Sequence, residues 1–304
     1  MPVSNNSIPS TEKKTMVEDE VSVENILNDN PVRIEEQHER KSVKIHGLSA
    51  AELADPNNIS VTISDTEAPL VILFGPPSCG KTMTLVRMTR YLKKMSYKIQ
   101  PIRTFRPTYD TNYSEICNSF DETINSEDAA EATDRVSFML VEVLEGNGRR
   151  ICQILEAPGE YYFNPQKPND SFPNYVNTII ASSNRKIWAI MVEPNWGNQP
   201  DRDNYATKIS NLVPKMGLHD SVVFIYNKID LTQFVRRKGD VDSRLAFRQV
   251  KFDYKNIFVP FVNKNPITKI FREYNCDFVP FQTGTYTGVN SIKFQAGADV
   301  YCEK

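Results

Sequence analysis

Short apolar runs alternate with amphipathic stretches over most of the chain after residue 66. The run LVILF at 70–74 is continuously apolar and ends in a glycine, as expected for a buried central strand. Leu85, Met88 and Leu92 then recur at the spacing of one helical face. Further runs that predict strands are 99–105, RVSFMLVEVL, RICQIL, IWAIMVEP, SVVFIYN and FVPFQ.

Helices are predicted between these strands at 174–183 and near 203–213, and two more, rich in Lys and Arg, within 235–272. The tripeptide Gly-Asn-Gly at 146–148 joins two apolar runs, which is typical of a β-hairpin. Strands that alternate with helices predict an α/β fold. We expect three layers: a mostly parallel sheet with one antiparallel hairpin strand, flanked by helices.

The first 66 residues differ from the rest of the chain. Asp, Glu, Asn and Ser are frequent there, and only scattered aliphatic residues interrupt them. Because such a composition favours a mobile segment, we predict a flexible polar extension at 1–66, with one short helix around 21–27, and a folded domain at 67–304. A partly ordered extension that packs on the main domain is the alternative.

The bulk composition is that of an ordinary globular protein, with 40% hydrophobic and 24% charged residues. Lys and Arg number 36 and Asp and Glu 38, so the formal charge of −2 gives no general attraction to nucleic acid or to an anionic membrane. The N-terminus lacks the apolar segment of a secretory signal, and the longest apolar runs are too short to cross a bilayer. We therefore expect a cytoplasmic protein with no membrane insertion and no clear nucleic-acid partner.

The cysteine and histidine residues form no recognisable site. The five cysteines are scattered without a CxxC pair, and the three histidines do not cluster. Neither pattern suits a metal centre or a disulfide framework, so reduced thiols are the simpler interpretation.

The segment GPPSCGKT at 75–82 matches the phosphate-binding pattern G-x4-G-K-[ST] and lies between a predicted strand and a predicted helix. In such a loop the backbone N–H groups turn toward phosphate oxygens, and the helix dipole adds to the attraction. Lys81 would reach the β- and γ-phosphates, and the Thr82 hydroxyl would hold Mg²⁺. A chance Gly-Lys-Thr turn is the alternative. The nucleotide-binding residues predicted here are Gly75, Ser78, Cys79, Gly80, Lys81 and Thr82.

The motif NKID at 227–230 directly follows the apolar run VVFIY. A carboxylate only accepts hydrogen bonds, and guanine offers two donors, N1–H and the N2 amino group, whereas adenine offers an acceptor at N1 and nothing at C2. A site built around Asp230 would therefore reject adenine strongly. Lys228 could lay its aliphatic stem over the base, and Asn227 could tie this loop to the phosphate loop. Chance occurrence is the alternative for so short a motif.

A third motif, EAPG at 156–159, ends the apolar run ICQIL. Glu156 stands where a carboxylate could reach Mg²⁺ through water, and Gly159 where an N–H could meet the γ-phosphate. Glu193, after the run IWAIMV, is a competing acid at a strand end. We favour Glu156 because no glycine stands three residues after Glu193. An ordinary acid between strand and loop is the alternative.

In chain order, GPPSCGKT, LEAPG and NKID resemble the motifs of the P-loop GTPase class that includes small GTPases and translation-factor G domains. More narrowly, the set is similar to bacterial small-GTPase-like domains of multi-component systems, and the resemblance covers residues 69 to about 286. It implies a P-loop NTPase sheet, GTP or GDP as ligand, Mg²⁺ as cofactor and a protein partner or activator. It also implies that Thr82 and Glu156 hold the metal, and that Thr283 and Gly284 place a backbone N–H against guanine O6.

Departures from the family pattern predict slow hydrolysis. Glu156 stands where the family has Asp, so the longer side chain must adjust to the metal. Glu160 takes the place of a water-orienting Gln; its carboxylate could orient water, but it adds negative charge beside the γ-phosphate. Pro77 and Ser78 replace small glycines of the phosphate loop. The predicted catalytic residues are Lys81, for transition-state charge, and Glu160, for the water.

The threonine that grips Mg²⁺ from the switch segment of such proteins has several candidates here. Between the first helix and the hairpin lie Thr104, Thr108, Thr111 and Thr133. Thr133 is slightly favoured because it is closest to the following strand. It is an equal alternative that all four are surface residues.

Basic residues cluster within 235–272, where a solvated helical face is the simpler interpretation and an acidic partner or an RNA is the alternative. The interleaved aromatic residues are expected in the core. The end of the chain shows no clear helical period, and we expect it to pack irregularly or to dock on a partner. The basic residues are Arg236, Arg237, Lys238, Arg244, Arg248, Lys251, Lys255, Lys269 and Arg272, and the aromatic residues are Phe247, Phe252, Tyr254 and Phe258.

Together these features predict a guanine-nucleotide-binding P-loop domain, a slow Mg²⁺-dependent GTPase that acts as a switch or module within a larger assembly. One alternative is a P-loop ATPase or kinase in which NKID is accidental. Another is a non-hydrolysing, nucleotide-dependent scaffold, which Glu156 and Glu160 favour.

Overall fold

The computed structural model describes residues 48–125, 138–287, 293–295 and 299–303, and a seven-stranded sheet lies at its centre. Two separate pairs of short strands accompany this sheet. The strands are β1 (Leu70–Phe74), β2 (Lys98–Pro101), β3 (Met139–Leu144), β4 (Arg150–Glu156), β5 (Lys186–Val192), β6 (Ser221–Tyr226), β7 (Val235–Arg237), β8 (Asp240–Val241), β9 (Asp277–Pro280), β10 (Thr285–Thr287) and β11 (Lys293–Gln295).

The central sheet has the strand order β2-β3-β4-β1-β5-β6-β9. All pairings from β4 through β1, β5 and β6 to β9 are parallel, whereas β3 runs antiparallel to both of its neighbours. The prediction of a mostly parallel α/β sheet with one antiparallel hairpin strand is therefore confirmed. Six strands point the same way, so their carboxyl ends meet at one edge of the sheet.

Helices flank the sheet, as predicted, and short 3-10 turns connect several elements. The turns that matter below are Arg103–Phe105, Ile229–Leu231 and Val259–Phe261. The α-helices are α1 (Ala50–Ala54), α2 (Lys81–Lys94), α3 (Thr111–Asn125), α4 (Gly159–Tyr162), α5 (Asn174–Ala181), α6 (Gln199–Leu212), α7 (Ser243–Asp253), α8 (Pro266–Phe271) and α9 (Asp299–Cys302).

The hairpin between β3 and β4 turns at the predicted Gly-Asn-Gly segment. Gly148 has φ +85°, a left-handed conformation that glycine adopts at little cost. Its N–H donates to the carbonyl of Glu145 over 2.9 Å. The turn residues thus explain how the chain reverses directly from β3 into β4.

Helix α3 was not predicted from the sequence. It buries Tyr113, Ile116, Cys117 and Phe120, which recur at helical spacing along one face. Asn, Ser and Thr among these residues favour turns and conceal that period. The strand expected at 99–105 is correspondingly shorter: β2 ends at Pro101, and a 3-10 turn follows.

Part of the predicted flexible extension is packed structure, so the boundary at residue 66 is wrong for residues 48–66. Leu48 and Ile59 are buried in the core. The buried guanidinium of Arg106 donates to the carboxylate of Glu52 (2.5 Å) and to the carbonyl of Ser60 (2.8 Å). For residues 48–66, the structure agrees with the alternative prediction of an ordered extension that packs on the main domain. Residues 1–47, with the helix expected around 21–27, lie outside the described residues.

The end of the chain forms short elements where irregular packing was expected. Strands β10 and β11 pair in antiparallel fashion, and α9 lies against α2. Ion pairs contribute to the contact with α2, because Asp299 accepts hydrogen bonds from Arg87 and from Lys94, the latter over 2.7 Å.

An aromatic cluster supports the carboxyl end of β1. The Phe74 ring lies 4.9 Å from the Tyr162 ring and 6.3 Å from the Tyr205 ring, centroid to centroid, the latter in a stacked arrangement. The Tyr205 hydroxyl donates to the carbonyl of Met191 over 3.1 Å, which ties the cluster to β5. Such interlocked rings favour one fixed position for the loop that follows β1.

The described part of the chain contains no helix with the length and apolar character required to traverse a bilayer.

We expect Arg106→Met to lower the free energy of unfolding by about 3 kcal/mol, because it leaves the carboxylates of Glu52 and Asp110 buried without their cation. Urea denaturation measures the change. Arg103→Met is the matched control, since the Arg103 side chain is 53% exposed and is expected to change stability little. Equal effects of the two substitutions would contradict the assignment of Arg106 as the anchor of residues 48–66.

Candidate functional site

The sequence motifs meet at the edge where the parallel strands end. The segment at 75–82 follows β1, Glu156 ends β4, Glu193 follows β5 and the NKID segment follows β6. Because β4, β1, β5 and β6 are consecutive neighbours in the sheet, these four segments are adjacent in space. Edges of this kind are the usual binding clefts of open α/β sheets.

The loop at 75–82 is tightly coiled, and its glycines are sterically required. A Cβ on Gly75 would lie 2.6 Å from Sγ of Cys79 and 3.1 Å from Cβ of Met191. Gly80 has φ +87°, and a Cβ there would collide with Nδ2 of Asn227. Ser78 also adopts positive φ, at +62°. The backbone is thus wound into the narrow turn that a phosphate-binding loop needs.

Lys81 opens helix α2 and is almost fully buried, with 5% of its surface exposed. Its ammonium donates to the carbonyls of Gly75 (3.2 Å) and Pro76 (2.9 Å). These bonds hold the cation over its own loop, where an arriving anion would meet it.

Thr82 and Glu156 are in direct contact. The Thr82 hydroxyl donates to Oε1 of Glu156 over 3.0 Å, and the backbone N–H of Phe138 donates to Oε2 over 2.7 Å. Glu156 is 2% exposed. The two side chains predicted as metal ligands therefore present oxygen atoms side by side.

Gly159 lies against the same loop. A Cβ on Gly159 would lie 2.5 Å from backbone atoms of Pro76 and Pro77, and 2.6 Å from Nζ of Lys81. The segment after β4 thus lies so close to Lys81 and to the loop at 75–82 that no side chain fits at position 159. Glu160 follows in α4, but its side chain lies outside what the structure describes.

The NKID segment is fastened to the loop at 75–82. Asn227, which is 1% exposed, donates from Nδ2 to the carbonyl of Cys79 over 3.0 Å. Lys228 has left-handed backbone angles (φ 55°, ψ 38°), and its ammonium donates to the carbonyl of Ser78 over 3.3 Å. Asp230 is exposed, in the 3-10 turn Ile229–Leu231. Asn227 and Lys228, two consecutive residues of the motif, thus contact the loop at 75–82.

The segment after β9 lies beside the NKID turn. The N–H of Ile229 donates to the carbonyl of Phe281 over 3.1 Å, and the N–H of Phe281 donates to the carbonyl of Tyr226 over 2.8 Å. Thr283 and Gly284, two and three residues further on, are buried. The backbone of this segment is therefore close to the predicted guanine loop.

Glu193 has a different partner from Glu156. It is 6% exposed, and its carboxylate forms an ion pair with Lys228. Burial raises the pKa of Glu193, and the ammonium of Lys228 opposes that shift. The sequence singled out Glu193 as an acid at a strand end, but it did not reveal this pairing.

Cys79 belongs to the loop through its backbone. Its side chain is fully buried, and burial raises the pKa of the thiol to about 11. The thiol is therefore neutral at physiological pH and acts as a packing group.

The candidate switch threonines are scattered. Thr104, Thr108 and Thr111 are all exposed, in the 3-10 turn Arg103–Phe105, in a turn and at the start of α3 respectively. The alternative that these are surface residues describes the three. Thr133, the favoured candidate, lies outside the described residues.

The basic residues of 235–272 are exposed, as the simpler interpretation predicted, but they do not all lie on helices. Arg236 and Arg237, whose side chains are 65% and 85% exposed, belong to strand β7. Among the aromatic residues, Tyr254 and Phe258 are in the core, but Phe252 is 74% exposed, so that prediction is wrong for Phe252. The Phe247 ring stacks on the Phe258 ring at 4.5 Å.

Across residues 48–125, 138–287, 293–295 and 299–303, no group of three or more His, Cys, Asp or Glu side chains is arranged to hold a metal ion.

Comparisons with known proteins give little direct identification. No protein family model matches this sequence, and no curated protein matches it. Among solved structures, a crystal structure of a protein assigned as nucleolar GTP-binding protein 1 from Plasmodium falciparum is similar at a TM-score of 0.30 and 14% identity, covering 74% of this chain and 81% of that one.

We expect Gly80→Ala to lower the free energy of unfolding by about 1–3 kcal/mol, because the methyl group is strained at φ +87° and displaces the Asn227 amide. Chemical denaturation measures the loss. Gly146→Ala serves as control, since a Cβ there meets nothing within 4 Å. A Gly80→Ala variant as stable as the control would show that the loop tolerates a side chain at this position.

Proposed function

We propose that the domain binds guanine nucleotides with Mg²⁺ and hydrolyses GTP slowly, as a switch or module within a larger assembly. The observation that carries the proposal is the hydrogen bond from Asn227 to the Cys79 carbonyl. It joins the loop suited to a triphosphate to the loop suited to a guanine base, so that one ligand can reach both.

The phosphate end of the proposed cleft is supported by backbone geometry. Gly80 is the N-cap of α2 and provides no side-chain cap, and the coiled loop before the helix carries backbone N–H groups. A helix amino end of this kind attracts anions through its dipole and its N–H groups. Lys81, buried beside the loop, adds a full positive charge.

The base end of the proposed cleft is supported by the NKID turn. Asp230 is exposed to solvent in a 3-10 turn, so its carboxylate is accessible to a ligand. Two hydrogen-bond acceptors on one carboxylate match the N1–H and N2 amino donors of guanine. In this proposal Thr283 and Gly284 supply the backbone beside guanine O6.

The residues fit Mg²⁺, because Thr82 and Glu156 bring a hydroxyl and a carboxylate oxygen together at 3.0 Å. Mg²⁺ prefers oxygen ligands and usually takes few from the protein, with water and phosphate oxygens completing the shell. When bound, the ion would neutralise charge on the β- and γ-phosphates. Thr82 and Glu156 are the residues that would hold it.

In the proposed reaction, water attacks the γ-phosphorus, the bond to the β–γ bridging oxygen breaks, and GDP and inorganic phosphate leave. Lys81 and the loop N–H groups would stabilise the charge that develops on the phosphate oxygens. Gly159 lies against Lys81, and in this proposal its N–H would meet the γ-phosphate. Glu160, next in the chain, is the proposed residue for orienting the water.

We expect Asp230→Asn to reduce GDP affinity by about 10- to 100-fold and to narrow the preference for GDP over ADP, because the amide presents a donor to a donor edge. Isothermal titration with GDP and ADP, in the presence of Mg²⁺, measures both. Asp277→Asn is the control, since its side chain is 72% exposed at the start of β9, at the opposite edge of the sheet. Equal displacement of labelled GTP by GTP and ATP in the unmodified protein would favour a P-loop ATPase or kinase instead.

Single-turnover phosphate release separates a GTPase from a non-hydrolysing scaffold. We expect slow but measurable release from GTP with Mg²⁺, and none from Lys81→Ala because the transition-state charge then lacks its cation. Nucleotide binding without any release in the unmodified protein would assign it to the scaffold class. Full GTP affinity in Lys81→Ala would contradict both.

A further inference from the structure

Glu193 is a buried carboxylate to which the proposed hydrolysis assigns no role. It follows β5 at the binding edge, and its side chain is 7% exposed. A buried charge is costly unless an opposite charge compensates it. The ammonium of Lys228 provides that charge, and Lys228 belongs to the proposed guanine loop.

We propose that Glu193 is a positioning residue for guanine: it anchors the Lys228 ammonium, so that the aliphatic stem of Lys228 is held where it covers the base. The inference rests on the proposed function, since it requires that a guanine nucleotide binds at this edge. It adds a residue from β5 to a base site otherwise built from the segments after β6 and β9.

Lys228 is held at two points. Its ammonium pairs with Glu193 and donates to the Ser78 carbonyl at 3.3 Å, so the end of the side chain is fixed between β5 and the phosphate-type loop. The side chain remains 37% exposed, which leaves part of the stem accessible to a ligand. A lysine that is already ordered loses less rotamer freedom when a base packs on it.

Glu193 is itself fixed through its backbone. The hydroxyl of Tyr254 donates to the Glu193 carbonyl over 2.8 Å, and the Glu193 N–H lies 3.3 Å from the same hydroxyl oxygen. Tyr254 is 1% exposed and follows α7. The anchor of Lys228 thus rests on a rigid part of the core, as a positioning residue requires.

The test is Glu193→Gln, which keeps the shape of the side chain and removes its charge. Titration of the full chain with GDP and with inorganic tripolyphosphate, both with Mg²⁺, separates the base end from the phosphate end. We expect GDP to bind about three- to tenfold more weakly, which corresponds to the ordering of one long side chain, and tripolyphosphate to bind no more weakly than before.

Lys228→Met removes the other partner of the same ion pair. Because Lys228 is more exposed than Glu193, this variant tests the pair even if Glu193→Gln does not fold. It is expected to weaken GDP binding to a similar extent. In the Lys228→Met background, Glu193→Gln should weaken GDP no further, because Glu193 then has no ammonium to hold. A general structural role of Glu193 would instead give additive losses.

Glu142→Gln is the matched control. Glu142, on β3, is another buried carboxylate (6% exposed), and it accepts a hydrogen bond from Arg150 over 2.6 Å. We expect this substitution to leave GDP binding unchanged. Unchanged GDP affinity in Glu193→Gln, or equal weakening of GDP and tripolyphosphate, would overturn the positioning role while leaving the proposed function intact. Failure of the unmodified protein to bind GDP would overturn both.

Discussion

The arrangement of the loops at the carboxyl ends of the parallel strands depends on one buried hydrogen bond, from the side-chain amide of Asn227 to the carbonyl of Cys79. It joins two loops that are 148 residues apart in the chain, and it forms where water has almost no access. A buried amide that lost this acceptor would keep its desolvation cost without compensation. The loops are therefore held at one separation, and that separation decides whether a single ligand can span them.

The bond is possible because residue 80 is a glycine and because the parallel strands β1, β5 and β6 bring their carboxyl ends to the same edge of the sheet. A side chain at Gly80 would occupy the place of the Asn227 amide. The N–H of Asn227 donates to the carbonyl of Val192 over 2.9 Å, which extends the pairing of β5 and β6 by one residue beyond the strands. The pairing of β5 and β6 thus fixes the backbone position of Asn227 beside the loop at 75–82. The aromatic cluster around Phe74 holds the strand from which that loop begins.

The sequence predicted the elements in which local signals agree. The run at 70–74, the loop glycines and the helical spacing after Lys81 each indicate the same strand, loop and helix, and the Gly-Asn-Gly turn has a specific backbone requirement. Helix α3 was missed because polar turn-forming residues hide its apolar face. Residues 48–66 were misassigned because their apolar residues, of which Leu48 and Ile59 are buried, are interspersed with polar ones and form no continuous apolar run.

For the site, strand ends could be read from the sequence, but strand order could not. That Glu156 and Glu193 each end a run of apolar residues is visible in the chain. Which side chain each one meets depends on β4, β1, β5 and β6 being neighbours in that order, a long-range property that no local pattern encodes. The pairing of Glu193 with Lys228 requires that β5 and β6 are neighbours in the sheet.

The two buried acids consequently carry different chemistry. Glu193 faces an ammonium, so a cation bound at its carboxylate would have to displace Lys228 and leave a second positive charge beside the first. Glu156 faces the hydroxyl of Thr82, and an oxygen pair of this kind suits a hard divalent cation, because hydroxyl and carboxylate oxygens can both turn toward the same ion. The division follows from the partner on the neighbouring segment rather than from the acid itself. Under the proposed function, Glu156 belongs to the γ-phosphate end of the cleft and Glu193 to the base end, in keeping with the order of β4, β1, β5 and β6 in the sheet.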